Sequence, residues 1–274
     1  MLRIVLQCST EYIINTVIKP ATKNNEVSEQ LQLLLSSTST WIDKSGIAFK
    51  AIEKNIRELM KADAASGSIR MADLFSFAGD MEMVEYWIQN ALRLNTPKVS
   101  CRLTEMIASG NLGYFTRAAT AYESAVAMKF GNLSNDFSMG LICGAFDAML
   151  NNIEAKRLGS LDWGVDNDRA AKLALRAKEA LDRLGLRDED VQSMLDVAGE
   201  VLREERQIWM GPGPVIRVIN TESDIGILYQ FHVGGDPEWA CQLTERVIDR
   251  LIEREIDCHG ISFSFLPWPI ELAS

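Results

Sequence analysis

Two stretches of the chain repeat one pattern of residues at an interval of 34 positions. In each stretch a glycine is followed, five, nine and twelve positions later, by residues suited to a buried helix face. The two copies are Gly79, Val84, Ile88 and Ala91, and Gly113, Ala118, Tyr122 and Ala125. Small residues at such positions let antiparallel helices approach closely, and the larger residue fills the gap between hairpins. The interval predicts stacked helical hairpins; the alternative is a plain helical bundle whose alanine spacing coincides with it.

Further residues around the first copy extend the pattern. Ala72 and Phe75 precede Gly79-Asp80, and Pro97 closes the stretch. With these residues the chain resembles the tetratricopeptide repeat family over about residues 67–129. The second copy departs from the family pattern, because Met106 and Ser109 stand where small and aromatic residues are preferred.

The resemblance implies that the first helix of each hairpin lines a concave face that receives a partner peptide or helix. Carried over by position, this face would consist of Ile69, Asp73, Ser76 and Phe77 in the first copy and Leu103, Ile107 and Asn111 in the second. Many family members grip a terminal carboxylate with lysine and asparagine in this groove. No lysine occupies these positions, so an apolar face that grips a helix or an extended segment fits better. The alternative is that these residues serve only internal packing.

A stable solenoid needs three or more stacked hairpins, so neighbouring copies are expected. Phe137–Asn151, expected as one helix, could pair with Arg169–Leu184 in a third hairpin around an insertion. Gly46–Met60 could supply the second half of an earlier hairpin. The Ser66-Gly67-Ser68 step is expected to separate that helix from the next, Ile69–Ala78.

The helical pattern ends at Gly211-Pro212-Gly213-Pro214, since two prolines and two glycines cannot continue a helix. Beyond this point the apolar residues alternate with a period of two, which predicts strands at Val215–Ile219, at residues 225–233 and at residues 261–265. Between the last two strands, Glu238–Ile256 has the apolar stripe of an amphipathic helix. The C-terminal module is therefore predicted to be strand, strand, helix, strand.

We therefore predict an α+β protein with three segments. Residues 1–26 form an N-terminal strand and helix, residues 27–210 a mostly α-helical repeat body, and residues 211–274 a small β-β-α-β module with a Pro/Trp tail. Leu2–Leu6 could add a further strand to the C-terminal sheet, or it could begin a helix. In the tail, Trp268 stands between two prolines and either packs on its own domain or contacts another subunit.

Charge and cysteine content exclude several classes of protein. Lys and Arg number 28 against 38 Asp and Glu, for a net charge of −10. An acidic chain without a basic run is poorly suited to binding nucleic acid, and it would favour a basic partner. No apolar stretch approaches the length of a membrane span. The five cysteines are scattered and form no Cys-x-x-Cys, which indicates reduced thiols and a cytoplasmic location.

The sequence predicts neither a metal site nor a cofactor. Zinc needs three or four converging ligands, and the chain has only two histidines, His232 and His259. Nucleophilic catalysis would need a serine or cysteine with a histidine and an orienting acid, and no Gly-x-Ser-x-Gly is present. Gly234-Gly235 precedes a helix, but Asp236 and Pro237 leave few amides there for a phosphate.

The leading hypothesis is a non-enzymatic adaptor, chaperone or regulator that binds a protein or peptide partner in the helical groove. The sequence leaves open whether the chain forms a homo-oligomer. The alternative is a small-molecule sensor or small enzyme that uses the open face of the C-terminal sheet. Its pocket would be formed by Tyr229, Gln230, His232 and Trp239. In that case the helical body would serve oligomerisation.

Overall fold

A computed structural model describes residues 22–36, 38–128, 137–157, 165–208, 214–256 and 259–267. These residues form helices and three strands, in the order α1 Thr22–Ser36, α2 Ile47–Ala62, α3 Ala64–Phe77, α4 Met81–Arg93, α5 Lys98–Asn111, α6 Phe115–Ala127, α7 Phe137–Ile142, α8 Phe146–Arg157, α9 Val165–Leu184, α10 Asp188–Glu204, β1 Val215–Asn220, β2 Ile225–Val233, α11 Pro237–Glu253 and β3 Ile261–Pro267. The predicted α+β class, with a mostly helical body before a small sheet, is confirmed.

The two copies of the 34-residue pattern form two hairpins of matching geometry. Helices α3 and α5 begin 34 residues apart, and so do α4 and α6. Gly79 and Gly113 turn the chain with φ of +72° and +70°. This is the left-handed conformation that glycine adopts without a steric penalty. Val84 and Ala118 are both fully buried, and their amides donate to the carbonyls four residues earlier, at 3.0 and 2.9 Å. Consecutive helices pack against each other, an arrangement compatible with a helical-repeat fold.

A third hairpin follows within the segment that was predicted to be a single helix. Phe137–Asn151 divides into α7 and α8, because Gly144 turns the chain with φ of +69°. The Ala145 amide donates to the Gly140 carbonyl at 2.8 Å, which closes the end of α7. The expectation of a single helix over Phe137–Asn151 is therefore wrong, whereas the expected packing of this segment against Arg169–Leu184 is present. Arg169–Leu184 belongs to α9, which packs against α7 and α8.

The expected helix start after Ser66-Gly67-Ser68 is also wrong. Helix α3 begins at Ala64, because the Asp63 carboxylate accepts the Ser66 amide at 2.9 Å and caps the helix. Gly67 lies inside the helix, where a Cβ would be 3.1 Å from the Met60 Cα, so glycine serves the close approach of α2 and α3. Helix α2 follows α1 and packs against it, and α1 also contacts α3.

The C-terminal module has the predicted order of strand, strand, helix, strand. The sheet order is β1-β2-β3, with β1 antiparallel and β3 parallel to β2. A parallel neighbour requires a crossover, and α11 supplies it. The helix also covers the outer edge of β3, where Thr244 Oγ1 accepts the Phe265 amide at 2.9 Å. Leu2–Leu6, considered as a further strand, lies outside the described residues.

The buried side chains form two clusters. One joins α1–α5, and the other extends from α5 through α10 into the sheet and α11. Within the second cluster the Phe115 and Phe231 rings are 5.5 Å apart, and the Tyr229 hydroxyl donates to the Leu141 carbonyl at 3.2 Å. The C-terminal module therefore shares its hydrophobic core with the second half of the helical body.

Helices α10 and α11 are joined by a row of ion pairs. Glutamates at the end of α10 and directly after it face arginines of α11 and directly after it: Glu200, Glu204 and Glu205 face Arg246, Arg250 and Arg254. Arg250 contacts Glu204 at 2.6 Å. The guanidinium groups hold the pKa values of Glu200 and Glu204 below their ordinary range. These ion pairs thus bind the end of α10 to the C-terminal module.

Candidate functional site

The seven residues of the predicted first-helix face occupy equivalent places on α3 and α5 but differ in accessibility. Ile69 and Leu103, 34 residues apart, are both buried, as are Ser76 and Phe77. Asp73 and its counterpart Ile107 are half-buried, and so is Asn111, the counterpart of Phe77. The structure therefore leaves Asp73, Ile107 and Asn111 partly accessible to a partner, although Ile107 also packs against the core, whereas the other four are buried.

Polar residues of α3 are also directed toward the interior of the protein. Arg70 is only 2% exposed, and its guanidinium donates to Asn24 Oδ1 at 3.1 Å and to Asp73 Oδ2 at 3.1 Å. Burial raises the pKa of Asp73, and the Arg70 charge opposes that rise. The Asp73 side chain remains 21% exposed, so it is the one charged group of the predicted first-helix face that α3 offers to solvent.

The four residues of the alternative pocket lie on opposite sides of β2. Tyr229 is fully buried among core residues, and this burial raises its pKa well above the ordinary value. Gln230 and His232 point to the other face, because side chains alternate along a strand; Gln230 donates to Ser264 Oγ at 3.3 Å. Burial lowers the pKa of His232. Trp239 stands in the first turn of α11, packed against Gly235. These four side chains therefore do not form one pocket around Tyr229.

Helix α10 crosses the turns of the second and third hairpins and satisfies the ends of their helices. Asp196 accepts the Phe115 and Thr116 amides at 2.6 and 3.1 Å, where α6 begins. Arg203 donates to the carbonyls of Leu112 and Gly113, where α5 ends. Free amides at a helix start attract carboxylates, and free carbonyls at a helix end attract cations. These contacts fix α10 across the turns.

The same helix holds the third hairpin through its first turn. Asp188 Oδ2 accepts the Asp147 amide at 2.8 Å, in the first turn of α8. Gln192 donates to the Gly144 carbonyl at 3.4 Å. In the sequence Asp188, Gln192 and Asp196 look like an ordinary polar face of a helix. Gln192 and Asp196 follow Asp188 by four and eight positions, and this spacing is the one signal that the three share a side.

At the turn of the first hairpin the structure has an open cleft instead of α10. Its volume is about 540 Å³, and it is lined by Trp41, Ile42, Asp43, Lys44, Ala78, Gly79, Asp80, Met81, Glu82, Tyr114 and Arg206. Lys44 pairs with Asp80 at 2.8 Å, and Asp80 also caps α4. The lining contains none of the seven predicted partner-binding residues, and nothing in the sequence pattern indicated this cleft.

The remaining sequence predictions concern thiols, metal ligands and the tail. Cys101 and Cys143 are buried, and burial raises the pKa of Cys101 to about 11. Within the described part of the chain, no group of three His, Cys, Asp or Glu side chains is placed to hold a metal ion. Trp268 lies outside the described residues.

Comparisons with known proteins give no family for this chain. No protein-family model, curated protein or solved structure matches it. Among the helices that the structure describes, none combines the length and apolar character needed to cross a bilayer.

Proposed function

We propose that this chain is a non-enzymatic interaction protein of the tetratricopeptide-like kind, acting in the cytoplasm as an adaptor, chaperone or regulator. The observation that supports this proposal is the matched pair of hairpins α3–α4 and α5–α6, with equal helix spacing and equal turn geometry. Stacked hairpins of this type present their first helices side by side, which makes an extended binding face.

The partner would contact Asp73, Ile107 and Asn111, the accessible members of the predicted face. Ile107 offers an apolar contact, while Asp73 and Asn111 offer a carboxylate and an amide. This combination, on a chain with a net charge of −10, suits a helix or an extended segment with apolar side chains and basic flanks.

Substitution at this face should reduce partner recovery without unfolding the protein. Asn111→Arg changes a half-buried position and should keep the wild-type circular dichroism spectrum. Ile107 is half-buried but also packs against the core, so the partner recovery of Ile107→Asp is compared only after its circular dichroism spectrum is shown to match that of the wild type. We expect each to recover at least about tenfold less of the native partner in affinity purification from the source cells, because an apolar contact or hydrogen bond at the interface centre is lost. Phe77→Asp and Leu103→Asp are poor choices, since both residues are buried and a charge there would disrupt the fold.

Ile248→Asp is the matched control, because Ile248 is 47% exposed on α11, outside the helical hairpins. It should recover the partner as well as the wild type does. Equal recovery by the folded Ile107→Asp and Asn111→Arg variants would count against the first-helix face as the binding surface.

A further inference from the structure

Asp188 is a buried carboxylate at the junction of α10 with the third hairpin. It is 6% exposed, although it occupies the first position of α10. One oxygen, Oδ2, accepts the Asp147 amide at 2.8 Å. The other oxygen, Oδ1, is buried and has no hydrogen-bond partner among the residues that the structure describes. An ionised carboxylate normally accepts several hydrogen bonds, whereas here only one of the two carboxylate oxygens accepts one.

The charges around Asp188 come from several elements and are mostly negative. They are Asp147 on α8, Glu189 on α10 itself and Lys178 on α9. Glu123 on α6 adds a further negative charge next to Asp147 and Glu189, and two neutral titratable groups, Cys143 and Tyr229, also lie near Asp188. Lys178, the one cation among them, is held by Asp147 at 3.1 Å and by Asp182 at 3.2 Å. These two carboxylates therefore compensate most of the positive charge that Lys178 would otherwise present to Asp188.

Burial and hydrogen bonding act on Asp188 in opposite directions. Burial raises the pKa of its carboxyl from 3.8 to about 6, and the Asp147 amide opposes that rise. The protonated form suits the site better because a neutral carboxyl loses less hydration on burial and is not repelled by Asp147 and Glu189. The group can therefore change its charge between mildly acidic and neutral conditions.

We propose that Asp188 is a proton-sensitive clamp that holds the first turn of α10 on the α7–α8 hairpin more firmly when its carboxyl is protonated than when it is ionised. Ionisation leaves a charge in a closed site with one donor, and opening the first turn of α10 returns that charge to water. The protonated carboxyl carries no charge, so it gains no comparable hydration when the first turn of α10 opens. The clamp concerns the attachment of α10 and is independent of the proposed partner-binding face on α3 and α5.

Hydrogen exchange of single amides, followed by NMR and corrected for the intrinsic pH dependence of exchange, tests the clamp. In the wild type, the protection of the Asp147 amide and of the first-turn amides of α10 should fall as the pH rises from 5 to 7.5. The total ratio is about 100-fold, which corresponds to a pKa difference of about two units between the closed and open states. It builds up from about pH 4 to about pH 6, so a fall of about tenfold is expected between pH 5 and 7.5. Asp188→Asn should remove this dependence, since its amide oxygen can still accept the Asp147 amide but cannot ionise.

Glu222→Gln is the control, because Glu222 is an exposed carboxylate in the turn between β1 and β2 and is not one of the charges that act on Asp188; its profile should keep the wild-type slope. Parallel profiles for wild type and Asp188→Asn would overturn the proposal. The carbon-13 shift of the Asp188 carboxyl in the wild-type protein gives a test that needs no variant. A titration midpoint near pH 6 supports the clamp, and a midpoint below about 4.5, within the ordinary range of aspartate, rejects it.

Discussion

Gly199→Ala should destabilise the protein by about 3–5 kcal/mol, although alanine normally stabilises a helix interior by about 1 kcal/mol relative to glycine. Gly199 lies where α10 crosses the turn between α5 and α6. A Cβ at this position would be 2.6 Å from the carbonyl carbon of Gly113, and closer still to its oxygen. The obstacle is backbone on both sides, so no side-chain rotation can relieve it. Helix α10 would have to move away from the turn.

That movement would also cost the hydrogen bonds that α10 makes nearby. Asp196 would lose the Phe115 and Thr116 amides, and Arg203 would lose the Gly113 carbonyl. Each lost cap contributes about 1 kcal/mol, which is why the expected effect exceeds that of simple overpacking. Chemical denaturation followed by circular dichroism at 222 nm measures the change in the free energy of unfolding.

Gly110→Ala is the matched control, since Gly110 is another buried helical glycine. Among the described residues, its Cβ would meet only the flexible end of Met139, at 3.2 Å, and Ala118 at 4.0 Å. We expect a change within about 1 kcal/mol of the wild type. If Gly199→Ala were as stable as Gly110→Ala, the close crossing of α10 over the turn would be wrong.

The sequence was informative where one local pattern decides the structure. Gly79 and Gly113 mark turns that need a left-handed residue, and the apolar positions around them have the helical period, so both hairpins could be predicted. Gly144 makes the same turn but was missed. The apolar period runs through it from Met139 to Leu150, and its interval of 31 residues from Gly113 differs from 34. A single glycine in an apolar run is a weak signal, because helices tolerate it.

The role of α10 could not be predicted, because its partners are distant in sequence. Asp188 and Asp196 accept amides 41 and 81 residues earlier in the chain. From the sequence alone both are acids on an amphipathic helix, a place where acids are usually solvated. The enclosure of α3 likewise depends on α1 and α5, so the burial of Ile69 and Phe77 followed from tertiary packing. The predicted binding residues were therefore equivalent in position but unequal in accessibility.

Phe231→Ala should also cost about 3–5 kcal/mol, and it tests whether the C-terminal module folds together with the helical body. Phe231 is 1% exposed, and its ring stands 5.5 Å from Phe115 of α6 and 5.3 Å from Phe263 of β3. The cavity would therefore open between the sheet and the helices. Ile219→Ala is the control, because Ile219 is 50% exposed on β1, and it should change stability by less than about 1 kcal/mol.

The shape of the unfolding transition distinguishes one cooperative unit from two. Since Phe231, Tyr229 and Phe115 belong to one buried cluster, the loss of Phe231 should shift the unfolding of sheet and helices together. Hydrogen exchange in denaturant should then show amides of β2 and of α6 losing protection at the same concentration, in both wild type and variant. A Phe231→Ala protein whose β2 amides exchange early while the α6 amides keep wild-type protection would show that the module is a separate folding unit. The shared core between them would then contribute little to the stability of the helical body.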